Sequence, residues 1–137
     1  MPLYRRFLAW TRLLKLWGTL RSDDLEGLVP DRLVLTSSGL EGVLERSKTS
    51  GPGKKNRYLP VFIDRRSFIT VPNWLETGYE ILRHPKFNFA RDYLLPRPSA
   101  DYEGTIRART TYLDRSALGR ALLLELFTPV FDERGRR

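Results

Sequence analysis

Two groups of residues could act on a phosphodiester. In GTLRSDDLEGL, residues 18–28, Arg21 precedes Asp24 by three positions. In SKTSGPGKKNR, residues 47–57, Lys48 leads into a glycine-marked turn that carries Lys54, Lys55 and Arg57. A planar guanidinium grips a phosphate through two hydrogen bonds, and a nearby carboxylate can hold it in place. A lysine on a hairpin can reach a phosphodiester and protonate a leaving oxygen. Lys54, Lys55 and Arg57 would add contacts to the phosphate backbone. Taken singly, each group also has a plainer explanation. Arg21 can pair with Asp24 alone, and Lys48 can be a solvated turn residue.

Other chemistries fit poorly. A phosphate-binding loop needs Gly-x-x-x-x-Gly-Lys followed by Ser or Thr. Gly53-Lys54 could close such a motif, but its first glycine would fall on Lys48 and its last residue on Lys55. The chain has no cysteine, which removes disulfides, thiolate metal sites and cysteine nucleophiles. One histidine, His84, cannot build a histidine-rich metal cluster, and Pro85 after it marks a helix end. Of the acidic pairs, Asp23-Asp24 reads as helix N-terminal charge and Asp132-Glu133 as a solvated tail.

The elements that must position these residues belong to a folded α+β chain. Its 137 residues are 41% hydrophobic and 12% aromatic, enough for one domain or a piece of one. The net charge is +8, with Arg and Lys spread along most of the chain. That balance favours a polyanionic partner such as nucleic acid, because each neutralised phosphate releases counterions. No apolar run reaches the ~20 residues that span a bilayer. The start, Arg5 to Trp10, resembles a signal peptide until Arg12 and Lys15 interrupt it, so an intracellular protein without membrane contact is expected.

Residues 4–17 should form an amphipathic helix, with Phe7, Trp10, Leu13 or Leu14, and Trp17 at helical spacing. Gly18 weakens its end. Ser22 is a good N-cap for a second helix, which leaves Arg21 at the junction. Residues 32–36, 40–48 and 58–63 read as three strands joined by tight turns, and Pro60 suits an edge. A third helix should run from Pro72 to about Arg83, with Trp74, Leu75, Tyr79 and Leu82 on one side. Residues 95–111 read as a loop. Asp114 or Ser116 should cap a last helix through Phe127, with Ala121, Leu122, Leu123 and Leu124 buried. The final stretch, 132–137, is a polar tail.

In this order the residues resemble the tyrosine recombinase (phage-integrase-like) catalytic domain, in the versions found in eukaryotic mobile elements. That family opens its core with Gly-x-x-Arg-x-x-acid-Leu, matched by Gly18, Arg21, Asp24 and Leu25. A three-stranded sheet follows, and the family's catalytic lysine lies in the turn between strands two and three, where Lys48 stands in a Ser-Lys-Thr context. Leu59-Pro60 fits the strand after that turn. The resemblance implies Arg21 and Lys48 as catalytic residues, Asp24 as support, and transesterification on DNA through a tyrosine without metal or cofactor. It also implies a nuclear setting in a eukaryote and allows assembly on DNA for a full-length protein.

The family's second box, His-x-x-Arg, and its tyrosine nucleophile are not found. Glu80–His84 is the nearest stretch, but Glu80 stands where the histidine is due. Tyr102 and Tyr112 can be nominated as nucleophile, yet Tyr112 reads as a packing residue at a helix entry. Residues 1–131 are therefore expected to form the N-terminal part of such a catalytic domain, mainly helical with one small antiparallel sheet, binding DNA but inactive alone. The rival expectation is a non-enzymatic basic module that binds nucleic acid.

Overall fold

The first helix forms because Tyr4, Phe7, Leu8, Trp10 and Leu14 fall on one face and are all buried. This helix, α1 (Leu3–Trp17), is the spine of the molecule. It starts without a side-chain cap. Its early amides are instead met by residues far along the chain. The Tyr4 N–H donates to the Tyr102 carbonyl at 2.8 Å, and the Leu3 N–H to Glu103 Oε2 at 3.4 Å. The structure, a computed structural model, describes residues 1–47, 56–68 and 71–127.

The order continues with α2 (Ser22–Glu26), a single 3-10 turn (Pro30–Arg32), β1 (Val34–Leu35), β2 (Gly39–Ser47), β3 (Asn56–Asp64), α3 (Trp74–Arg83), β4 (Pro96–Pro98), β5 (Thr105–Arg109) and α4 (Tyr112–Phe127). The chain is thus α+β, with four helices and a three-stranded antiparallel sheet in the order β1-β2-β3. The β2–β3 register runs from Gly39 opposite Asp64 to Ser47 opposite Asn56. Pro60 lies on β3, an edge strand, where its missing N–H costs no ladder bond on the solvent side. Period-two alternation puts Leu40, Leu44 and Ile63 into the core and leaves Glu41, Tyr58 and Phe62 outside.

Tyr4, Phe7, Trp10 and Phe87 form an aromatic cluster, with Trp10 against Gly78 of α3. Trp74, Leu75 and Leu82 of α3 are buried as expected, while Tyr79 is half-buried and its hydroxyl donates to the Leu33 carbonyl at 3.1 Å. The helix begins at Trp74 rather than Pro72, after a turn at 72–73.

Three expectations for residues 95–127 are corrected. Residues 95–111 are not a plain loop, because β4 and β5 pair as an antiparallel hairpin. Pro96 and Pro98 donate no amide, which hides a strand from propensity. The hairpin tip is held by side chains: Ser99 Oγ donates to Asp101 Oδ1 at 2.6 Å, and the Glu103 N–H reaches the same oxygen at 3.0 Å. The run 121–124 is not buried as a block. Leu122 is buried and Ala121 half-buried, whereas Leu123 and Leu124 are 54% and 70% exposed. Four consecutive apolar residues must encircle a helix, so only part of them can face α1. The start of α4 is set one turn earlier than its expected caps, with Thr111 and Asp114 bonding each other's backbone N–H at 2.9 and 3.1 Å.

Candidate nucleic-acid interface

The path to Arg21 is built by the end of α1. The Thr19 N–H donates to the Leu16 carbonyl at 3.3 Å and the Leu20 N–H to the Lys15 carbonyl at 2.9 Å, the paired bonds of a Schellman ending. The residue in the left-handed region is Thr19, at φ 51°, and not the neighbouring Gly18. A β-branched residue is rare there. Its hydroxyl donates to the Gly18 carbonyl at 2.7 Å, which helps hold the turn.

Arg21 then occupies the N-cap position of α2 in an extended conformation, and its side chain is exposed. Ser22, expected to be the cap, is the first helical residue. Asp24 is buried, and its Oδ2 accepts the Arg21 backbone N–H at 3.2 Å. That bond fixes the junction through the backbone, as an acid at the third helical position does in a capping box. Asp24 thus meets Arg21 at its backbone N–H, where the sequence suggested a carboxylate holding the guanidinium, and shapes the turn that presents Arg21.

The helix that begins at Arg21 is fastened directly to β2. The Gly27 carbonyl accepts the Glu45 N–H at 2.8 Å, the Val29 N–H donates to the Val43 carbonyl at 3.2 Å, and Leu28 bridges Leu44. Gly27 permits this approach, since a Cβ there would lie 2.4 Å from the Glu45 carbonyl oxygen. The junction and the strand leading toward Lys48 therefore form one backbone unit. Lys48, Lys54 and Lys55 lie outside the described residues. Arg57 is in β3 opposite Arg46, and its side chain also lies outside the description. Residues 46–57 contain five cations and no acid.

One cation near Arg21 escaped sequence reasoning. Lys15 Nζ donates to Ser22 Oγ at 2.9 Å, next to the Arg21 junction. Its only sequence signal was a lysine in the last turn of a helix, which usually marks no more than a favourable dipole. Several other arginines serve the fold. Arg91 donates to the carbonyls of Phe87, Phe89, Tyr93 and Leu94 and binds their loop together. Arg65 joins the Thr36 carbonyl at 2.7 Å and pairs with Glu76.

Glu26 was not anticipated either. Its side chain is 3% exposed, with Arg109 Nε and Arg115 Nη1 each 3.6 Å from Oε2. That spacing is an ion pair longer than an ordinary hydrogen bond. Burial pushes the Glu26 carboxyl above its ordinary value, and Arg115 and Arg109 offset this only in part. Burial, with Glu26 nearby, also pushes the Tyr4 phenol up; its hydroxyl donates to the Pro96 carbonyl at 2.6 Å.

The stretch Glu80–His84 ends α3, where exposed His84 accepts the Lys86 N–H on Nδ1 at 3.1 Å. Tyr102 is half-buried against Tyr4 and Arg5. The Tyr112 side chain lies outside the description. Among the described residues no group of acids and histidine is placed to hold a metal ion, and no helix is long and apolar enough to cross a membrane. No protein-family model, curated protein or solved structure matches the chain. The functional reading therefore rests on the residues themselves.

Proposed function

We propose that the chain is a DNA-binding part of a tyrosine-recombinase-like catalytic domain, with Arg21 and Lys48 at the phosphate and no cleavage by this chain alone. The observation that carries the reading is the fastening of Gly27 to Glu45. It ties the exposed Arg21 to the strand that precedes Lys48, so one rigid unit can serve two phosphate-binding groups. The strand order and the resemblance in residues 18–28 and 44–61 support it, and the net charge of +8 suits DNA. Arg21 would grip a phosphate in a bidentate manner, Lys15 would add charge beside it, and the cations of residues 46–57 would follow the backbone. A nicked suicide duplex tests the second half of the proposal. The chain should bind it reversibly with strong salt dependence, and a denaturant-resistant protein–DNA species would refute inactivity alone.

A second reading has its own observation. Tyr58 and Phe62 stand 54% and 50% exposed on the outer face of the sheet, and Arg32 lies over the Tyr58 ring at 5.2 Å. Exposed aromatics beside a cation are a platform on which single-stranded bases stack. Glu41 and Glu45, opposite Phe62 and Tyr58 in the register, oppose a polyanion on that face, which makes this the weaker reading.

A further inference from the structure

A groove of about 730 Å³ runs between α1, α2 and α4. Its floor includes Leu25 and Leu122, both buried, while its walls carry Leu13, Leu16 and Leu123, which are 37%, 64% and 54% exposed. Large apolar side chains exposed along both walls of one groove mark an interaction surface rather than scattered surface leucines. The lip is cationic. Arg12 and Lys15 each precede a wall leucine on α1, and Arg120 stands on α4. Among the described residues none of these three is in an ion pair with a carboxylate. The acid that does reach the groove, Glu26, is 3% exposed and occupied by Arg109 and Arg115.

We infer that this groove docks an acidic amphipathic helix of a separate partner protein. Its apolar stripe would seat on Leu13, Leu16 and Leu123, and its flanking carboxylates would meet Arg12, Lys15 and Arg120. The groove follows α1 from Leu8 to Leu16, about 13 Å at 1.5 Å per residue and room for about two and a half turns of a partner helix. The charge decides between occupants. A second copy of a chain with net charge +8 would bring like charges to the cationic lip. Nucleic acid would find leucine walls that offer no hydrogen bonds to base edges. This inference stands without the DNA-binding proposal, and where both hold, the partner helix and DNA compete for Lys15.

The test uses the full chain and a fluorescein-labelled helical peptide with leucines at i, i+4, i+7 and i+11 flanked by glutamates. Anisotropy should show saturable binding that weakens with salt. A peptide with lysines in place of the glutamates, and one with the leucines scrambled, should each bind at least about tenfold more weakly. Leu16→Asp and Leu123→Asp replace exposed side chains, so the fold should survive by circular dichroism, and each should weaken binding about tenfold. Arg120→Glu should narrow the preference for the acidic peptide over the basic one. Equal binding of acidic and basic peptides would overturn the inference, as would binding untouched by both leucine variants. So would concentration-dependent self-association that Leu16→Asp abolishes, which would make a second copy the occupant.

Discussion

The carbonyl of Gly27 accepts the N–H of Glu45 at 2.8 Å, and a Cβ on Gly27 would lie 2.4 Å from the Glu45 carbonyl oxygen. This contact joins the helix that starts at Arg21 to the strand that leads toward Lys48. Gly27→Ala must move backbone, since the obstructing atom is a carbonyl oxygen and not the tip of a flexible side chain. The variant should lose about 1–3 kcal/mol of stability, seen as a lower urea midpoint with an unchanged slope. Its DNA affinity should also fall at temperatures where it remains folded, because the Arg21 junction loses its anchor. Full stability with unaltered affinity would mean that the junction does not depend on β2.

Gly78 of α3 lies against the indole of Trp10, where a Cβ would come within 2.0 Å of ring carbons. Trp10 is 3% exposed and packs on Phe7, so the ring has little room to retreat. Gly78→Ala should destabilise by about 1–3 kcal/mol despite the better helix propensity of alanine. Thermal unfolding followed by circular dichroism measures this. A gain in stability would show that α1 and α3 can separate without cost.

Glu26 makes stability depend on pH. Burial raises its folded pKa above the unfolded one, so the native state holds the proton more tightly. The contribution of this group is therefore fully present below the ordinary carboxylate pKa of about 4.3 and is lost as pH rises through the raised folded value. Glu26→Gln removes that dependence. Urea midpoints from acidic to neutral pH should show the wild type losing ground to the variant as pH rises, with the variant at least as stable at neutrality. A wild-type advantage that grows with pH would mean that Arg115 and Arg109 outweigh burial.

Much of this architecture is legible in the residues. Phe7, Trp10 and Leu14 announce α1 by their spacing, and Ser37-Ser38-Gly39 with alternating apolar residues announces the β1–β2 turn. What is not legible depends on long-range partners. Pro96 and Pro98 hide a strand because their pairing with β5 uses few amides. Leu123 and Leu124 read as core because a run of leucines does not say which face meets α1. Arg21 displaces Ser22 as the cap because the left-handed Thr19, itself unexpected, sets where α2 begins. Within the candidate site, Arg21 and Asp24 could be found from their spacing. Lys15 could not, since its bond to Ser22 crosses a helix junction. Glu26 looks like one more acid after Asp23 and Asp24 until Arg109 and Arg115, more than eighty residues later, fold onto it.

The central claim is that Arg21 faces a DNA phosphate, and Arg21→Ala measured for binding and stability together tests it most directly. Anisotropy with a labelled duplex across a salt series, beside urea unfolding of the same protein, supplies both readings. The account predicts about tenfold weaker binding, a salt slope reduced by about one, and an unchanged urea midpoint, because the Arg21 guanidinium is exposed and Asp24 bonds the backbone N–H that alanine keeps. A lowered midpoint with unchanged DNA affinity would contradict it and make Arg21 a partner of the fold alone.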